Sequence, residues 1–157
     1  MLGNLSGLVL LAIDIAAWLI INLSVSWMVS KRSAESFNPG SWLYRKRTWE
    51  KNARFYEKAM KIKKWKNRLP DGAAVSKSGF RKKRLRNTDS GYLNTFIRET
   101  CRAEYLHWIL LLLSLLFFIW NPWYIGIMMI AYAVMANMPC IFAQRYNRIR
   151  LLRVNNN

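Results

Sequence analysis

The sequence predicts an all-α integral membrane protein with three transmembrane helices and a basic cytoplasmic loop that contains an amphipathic interfacial helix. Two long segments are almost free of charge, since residues 1–29 contain one charged side chain and residues 105–144 contain none. All 25 lysines and arginines lie elsewhere, 21 of them between residues 31 and 102 and the other 4 between residues 145 and 153. Apolar and basic residues are therefore separated along a single membrane domain, 1–157, as in proteins whose basic loops remain in the cytoplasm.

The first apolar segment, 5–29, exceeds the roughly 20 residues that a spanning helix requires. A cleaved signal peptide is an alternative, but such peptides begin with a basic region and have a shorter apolar core. This segment contains no lysine or arginine, so we expect a retained transmembrane helix with the N terminus outside. Asp14 lies deep in this span, and the sequence identifies no partner for it.

The second apolar segment predicts a hairpin. As one helix, residues 105–143 would measure about 58 Å at a rise of about 1.5 Å per residue, about twice the hydrocarbon core. Asn121-Pro122 supplies the break, because proline lacks an amide donor and restricts the residue before it. The predicted spans are 104–120 and 123–143. Three spans place the loop 30–103 and the tail 144–157 together on the cytoplasmic side of the cell membrane. If the first helix were only interfacial, the same loop and tail would still be cytoplasmic.

An amphipathic pattern lies within the basic loop. At helical spacing, Trp49, Phe55, Tyr56 and Ile62 share one half of a helix while charged residues occupy the other half. This pattern predicts a helix over about 46–67 that lies in the membrane surface. A turn at Leu69-Pro-Asp-Gly72 follows it, and a new helix begins around Asp89 or Ser90 and continues through His107 into the second span.

The net charge of +17 indicates a partner of opposite charge. Nucleic acid is not expected, since no recognition module accompanies the charge. Anionic lipid and membrane topology explain most of it, and recruitment of a phosphate-rich donor such as acyl-CoA, or of an acidic acyl carrier protein, is the alternative. The densest basic run is 81–86. One histidine and two separated cysteines form no metal motif, so we expect no metal and no bound cofactor.

Glu104 and His107 form the strongest catalytic candidate. They are three residues apart and share a helix face, so the carboxylate can orient the imidazole and leave its other nitrogen to take a proton from a hydroxyl. A pair that only satisfies both groups at the membrane boundary has the same spacing. From the third span into the tail, Asn137, Gln144 and Asn147 share a face that either joins helices or lines a site for a polar headgroup.

Five stretches of the chain are similar to one protein family and occur in that family's order. They are Ile62-Lys-Lys-Trp-Lys66, Leu69-Pro-Asp-Gly72, Glu99-Thr-Cys-Arg-Ala-Glu-Tyr-Leu-His-Trp108, Tyr132-Ala-Val-Met-Ala-Asn-Met-Pro139 and Gln144-Arg-Tyr-Asn-Arg-Ile-Arg-Leu151. By these stretches the chain resembles the glycosyl-4,4'-diaponeurosporenoate acyltransferase family of bacterial membrane enzymes, which acylate the sugar of a glycosylated carotenoid acid. It departs from the family pattern at Ile149, where a proline tends to stand.

The resemblance implies an O-acyltransferase that moves a fatty acyl group from a thioester, acyl-CoA or acyl carrier protein, to a sugar hydroxyl of a glycolipid. His107 is then the general base and Glu104 its orienting group. The candidate substrate-binding residues are Arg102, Asn137, Gln144, Arg145 and Asn147, with Asp71 and Trp65 from the loop. The competing hypothesis is a non-enzymatic membrane adaptor that binds anionic lipid or a soluble partner through its basic loop. The sequence does not set the acyl chain or the oligomeric state.

Overall fold

The computed structural model describes residues 7–69 and 90–155, and all regular structure within those ranges is helical. Three helices are long and apolar enough to cross a membrane, which confirms the predicted fold class. The α-helices are α1 (Gly7–Ser30), α2 (Arg54–Lys58), α3 (Ile62–Trp65), α4 (Ser90–Leu113) and α5 (Trp123–Asn155). Short 3-10 segments cover Ala34–Ser36, Thr48–Ala53, Lys66–Arg68 and Ser114–Ile119.

Helices α4 and α5 form an antiparallel hairpin, which positions the functional residues. The chain turns at Asn121-Pro122, and the backbone N–H of Asn121 closes the turn by donating to the Phe117 oxygen at 3.2 Å. Gly126 allows the two arms to approach closely here, since a Cβ at this position would lie 2.5 Å from the Phe118 ring. We call this the turn end of the hairpin and the opposite end, where the arginines lie, the charged end.

Helix α1 packs one face against α4 and the turn end of the hairpin and leaves its opposite face exposed. Val25 and Val29 join a core with Phe37, Cys101 and Leu110 towards the charged end. Towards the turn end, Trp18 stacks on Phe117 with ring centroids 4.9 Å apart. The side chains on the outer face of α1 are large, apolar and exposed, as a lipid-facing surface requires; they include Leu8, Leu11, Leu19, Ile20 and Leu23.

Residues 42–69, which we call the cap segment, differ from the continuous interfacial helix expected over about 46–67. The helical path is broken at Ala53 (φ 74°) and Lys61 (φ 48°), because a left-handed residue cannot continue a right-handed helix. Only part of the apolar half of the pattern packs on protein, since Trp49 and Phe55 remain exposed. Ala53, Tyr56 and Ile62 are buried against Ala143, Tyr146 and Ile149 of α5.

Helix α5 is longer than the predicted third span. The span was expected to end at residue 143 and to be followed by a tail, but the helix continues to Asn155. The extension is stabilised because its apolar side packs on the cap segment and its arginines pair with buried carboxylates. Helix α4 begins at Ser90, where a helix was expected. The predicted turn at Pro70-Asp71-Gly72 and the basic run 81–86 lie outside the described residues.

Candidate active site

His107 of α4 is held by a residue of the opposite helix. Its Nδ1 lies 2.8 Å from Oδ1 of Asn137 on α5. Asn137 is buried, with 6% of its surface exposed, and His107 is half-buried. The two predicted site residues are thus brought together across the hairpin, and the nitrogen that was expected to face Glu104 faces an amide.

The hydrogen bonds around Asn137 fix the imidazole tautomer. Nδ2 of Asn137 donates to the backbone oxygen of Ala133 at 2.8 Å. That oxygen can only accept, so Oδ1 is the amide atom directed at His107, and Oδ1 in turn requires a proton on Nδ1. In the neutral imidazole the basic lone pair is therefore on Nε2.

Glu104 is fully buried and accepts hydrogen bonds from the arginines of α5. Its Oε1 accepts from Nη1 of Arg145 at 2.8 Å and from Nε1 of Trp108 at 3.2 Å. Its Oε2 accepts a short hydrogen bond from Nη2 of Arg148. Each carboxylate oxygen therefore faces a guanidinium group. This arrangement differs from the expected one, in which Glu104 orients His107.

All the donors of Arg145 are engaged within the protein. Nε donates to Glu50 at 2.9 Å, Nη1 donates to Glu104 and to the Leu43 backbone oxygen, and Nη2 donates to Glu50 and to the Arg45 backbone oxygen. A guanidinium group has five N–H donors, so none is left for a substrate in this arrangement. Arg145, a predicted substrate-binding residue, instead joins the cap segment to the hairpin.

Glu50 is the cap segment's contribution to this network. Tyr56 donates to its Oε1 at 2.6 Å, and the backbone N–H of Arg47 donates to Oε2. Burial raises the pKa of the Glu50 carboxyl, but the hydrogen bonds from Arg145, Arg47 and Tyr56 outweigh burial and lower the pKa below its ordinary value. Glu50 is thus held as a carboxylate, and the network of Glu50, Glu104, Arg145 and Arg148 balances two negative charges with two positive ones.

The remaining predicted site residues lie in different surroundings. Arg102 is buried and pairs with Glu99 at 2.7 Å, three residues before it. Trp65 donates from Nε1 to the backbone oxygen of Met60 at 2.8 Å within the cap segment. Asp71 lies outside the described residues.

Two further predicted residues lie on α5 towards the charged end. Oδ1 of Asn147 accepts from Nζ of Lys66 at 3.1 Å. Oε1 of Gln144 is buried and accepts no hydrogen bond from the described residues. Both residues lie on the polar face of α5 that begins at Asn137.

A family model built on glycosyl-4,4'-diaponeurosporenoate acyltransferases matches residues 40–157. The chain belongs to this acyltransferase family. The glycosyl-4,4'-diaponeurosporenoate acyltransferase of Staphylococcus aureus strain bovine RF122 / ET3-1 is 31% identical over 137 residues, which cover 87% of this chain and 82% of the relative. The enzymes of strains USA300 and MRSA252 are 30% identical over the same shares. No solved structure matches the chain.

The acyltransferase match coincides with the charged end and the hairpin. His107, Asn137 and the Glu104 network all lie within residues 40–157, whereas α1 with Asp14 precedes them. Within residues 7–69 and 90–155, no three His, Cys, Asp or Glu side chains are grouped closely enough to hold a metal ion.

Sequence reasoning missed Glu50 and Arg148 as members of this network. Arg148 follows Arg145 by three residues, so the two share a helix face, and this spacing is a signal that the basic tail was an inward-facing helix. Glu50 carried no comparable signal, because it lies 95 residues from Arg145 along the chain and looked like one charge on a polar helix face.

Proposed function

We propose that the protein transfers a fatty acyl group from a thioester donor to a sugar hydroxyl of a glycosylated lipid. The names of its relatives suggest glycosyl-4,4'-diaponeurosporenoate as the acceptor. The observation that carries the mechanism is the 2.8 Å contact between His107 and Asn137, because it sets the tautomer that a general base needs. The donor is a co-substrate, and the reaction requires no bound cofactor.

In the proposed reaction, Nε2 of His107 removes the proton from the sugar hydroxyl while the hydroxyl oxygen attacks the thioester carbonyl carbon. The new C–O bond gives a tetrahedral intermediate, and its collapse breaks the C–S bond. The imidazolium then returns its proton to the departing thiolate. The products are an ester and a thiol, and the histidine ends as it began.

Asn137 acts through His107 and is a positioning residue in this proposal. When Nε2 takes a proton, the imidazolium charge is stabilised by the Oδ1 atom that already accepts from Nδ1. Glu104 has an indirect part as well. It holds Arg145 and Arg148 on α5, and these arginines hold the cap segment at the charged end, so Glu104 stabilises the fold around the site.

We place the N terminus outside the cell membrane, and the cap segment and C terminus in the cytoplasm, because basic residues flanking spans remain inside. In a variant without native cysteines, Ser33→Cys, which is exposed beyond α1, is then shielded from an impermeant thiol reagent applied to intact cells. Trp123→Cys at the turn end reacts. Labelling of Ser33→Cys alone would reverse the proposed orientation.

The test of the mechanism is acyl transfer by purified His107→Ala and His107→Gln variants. General-base catalysis contributes about 10²- to 10⁴-fold, so we expect a fall of that order for both variants, since glutamine retains a hydrogen bond to Asn137 but cannot take the proton. Asn137→Leu loses the tautomer control and should reduce the rate by about 10-fold, the equivalent of one ordinary hydrogen bond.

Thermal unfolding of each variant checks that it is folded, and Thr95→Ala on the exposed part of α4 is the control that should keep full activity. A folded His107→Ala protein with normal turnover would contradict the mechanism. If such a variant and the wild type both lack acyl transfer but bind anionic vesicles, the membrane-adaptor hypothesis gains support.

A further inference from the structure

Three cations converge beside α5 at the charged end, outside the network already described. Lys66 of the cap segment donates from Nζ to Oδ1 of Asn147 at 3.1 Å and lies 4.9 Å from the centroid of the Tyr146 ring. Arg150 covers the same ring, with its Cζ 5.6 Å from the centroid. Lys63, one helical turn before Lys66, is paired at 2.9 Å with Glu57. Tyr146 is thus surrounded by cations from two segments of the chain.

The cluster has more positive than negative charge. The described contacts of the cluster include one acid, Glu57. Its carboxylate accepts hydrogen bonds from Lys63 and from the Tyr146 hydroxyl, both at 2.9 Å. Burial lowers the pKa of Lys66, and the neighbouring charges of Arg150 and Lys63 lower it further. An anion bound between these cations would remove this repulsion. Phosphate suits the site, since several N–H donors can reach its separate oxygens.

A polar stripe connects this cluster with His107. Asn137, Gln144 and Asn147 follow one face of α5, starting at the imidazole and ending at Lys66. Gln144 supplies a buried carbonyl oxygen that accepts no hydrogen bond from the described residues. Such an atom is suited to accept an amide N–H. The rise from Asn137 to Asn147 is about 15 Å at about 1.5 Å per residue.

The stripe has the length and chemistry of a pantetheine arm. This arm has about 13 chain bonds between its phosphorus and its sulfur, and since three bonds of an extended chain span about 3.3–3.6 Å, it reaches about 15 Å. It also contains two amides. The arm is therefore about as long as the separation, along the helix axis, between Asn147, which contacts Lys66, and Asn137, which contacts His107.

We propose that Lys63, Lys66 and Arg150 bind the phosphate of a phosphopantetheine arm, with Asn147 and Gln144 contacting the arm and His107 facing the thioester. The proposal rests on the proposed acyl transfer and names its donor class. Acyl-CoA and acyl carrier protein both carry a phosphopantetheine arm, so the site would bind the group that the two donors share.

The first experiment measures binding, independently of turnover. Purified wild-type protein in nanodiscs is titrated with 4'-phosphopantetheine and with pantetheine, with tryptophan fluorescence or heat as the signal. A hydrogen bond to a charged group is worth at least a factor of about 10 in affinity. We expect at least that preference for the phosphorylated compound in the wild type, and its loss in Lys66→Gln and Arg150→Gln.

Lys58→Gln is the matched control, because it removes the same charge from an exposed position of α2 outside the cluster. It should retain the preference. Equal affinity of the wild type for the two compounds would overturn the proposal. So would an equal loss in Lys58→Gln, since the effect would then reflect net charge alone.

The second experiment separates this proposal from the proposed function and distinguishes the two donors. KM and kcat are measured with acyl-CoA, acyl carrier protein and acyl-pantetheine. We expect Lys66→Gln to raise KM about 10-fold for whichever phosphorylated donor is used, with little change in kcat or in KM for acyl-pantetheine.

Equal KM values for acyl-CoA, acyl carrier protein and acyl-pantetheine in the wild type would overturn the phosphate site and leave the acyl transfer intact. Selective phosphopantetheine binding without product from any donor would overturn the acyl transfer and leave the phosphate site intact.

Discussion

The two ends of the hairpin bury carboxylates in different ways. At the turn end, Asp14 of α1 is 3% exposed, and its Oδ1 accepts from Nε1 of Trp120 and Nδ2 of Asn121, both at 2.8 Å. These donors are neutral. At the charged end, Glu50 and Glu104 are fully buried and are bonded by the guanidinium groups of Arg145 and Arg148.

This difference indicates that the stability of only one of the two ends depends on charge. A carboxyl that accepts from neutral groups can be replaced by an uncharged acceptor without leaving an opposite charge behind. A buried ion pair cannot lose one member so easily, because the remaining charge stays in a poorly solvated place. We therefore expect the turn end to tolerate neutralisation and the charged end to be destabilised by it.

Arg145→Met should have the largest effect on stability. It removes the four hydrogen bonds that Arg145 donates to the cap segment and leaves Glu50 without its guanidinium partner, so we expect a loss of about 3–5 kcal/mol. The measurement is the free energy of unfolding in detergent, followed by tryptophan fluorescence.

Arg68→Met removes an exposed arginine from the same end and should change stability by less than about 0.5 kcal/mol. Adding Glu50→Gln to Arg145→Met should recover part of the loss. A loss of the same size in Arg68→Met would show that net charge, and not the buried pairing, stabilises the charged end.

Acid should destabilise the charged end through Glu50. The folded state lowers the pKa of this carboxyl below its ordinary value of 4.5. A carboxyl with a lowered folded pKa contributes stability above its unfolded pKa and loses that contribution as the pH falls through the folded value. The Tm of the wild type should therefore fall below pH 4.5.

Glu50→Gln should unfold at a lower temperature than the wild type at pH 7 but show a smaller decrease on acidification. Glu35→Gln, at an exposed position, should leave the acid dependence of the wild type unchanged. An equally steep decrease in Glu50→Gln would assign the acid sensitivity to other carboxyls.

Asp14→Asn should have the smallest effect. The amide oxygen can accept from Trp120 and Asn121 in place of the carboxylate, so we expect a change below about 1 kcal/mol in the free energy of unfolding. Asp14→Leu removes the acceptor from two donors and should cost more, about 1–3 kcal/mol for each donor left buried. If Asp14→Asn is as destabilising as Arg145→Met, the two ends do not differ in their dependence on charge.

The spans could be predicted from the sequence because their signals are local. Hydrophobic length, the position of Pro122 and the separation of charge all appear within single segments. The break at Ala53 and the packing of Tyr56 on α5 depend on contacts with residues far along the chain. A helix that packs on lipid and a helix that packs on protein both need one apolar face. The amphipathic pattern of the cap segment is therefore the same in the two cases and could not predict which surface it contacts.

The structure brings two of the predicted site residues, His107 and Asn137, together, but the sequence did not predict this pairing. Spacing placed Glu104 and His107 on one helix and Asn137 on another, but the hydrogen bonds are set by how α4 and α5 align. That alignment joins His107 to a residue 30 positions away and Glu104 to residues 41 and 44 positions away. Residue spacing within one helix could suggest only that Glu104 and His107 pair with each other. It carries no information about partners on another helix.

Helix α5 is one uninterrupted element of 33 residues and continues through Pro139. The spacing between Asn137 and Asn147 is consequently set by the hydrogen-bonded backbone of one helix and not by the position of the cap segment. One residue inserted between them would add about 1.5 Å and rotate everything beyond it by about 100°. The distance between two residues of α5 and their relative orientation therefore change together. An insertion that lengthened the helix would also change which side chains face the hairpin.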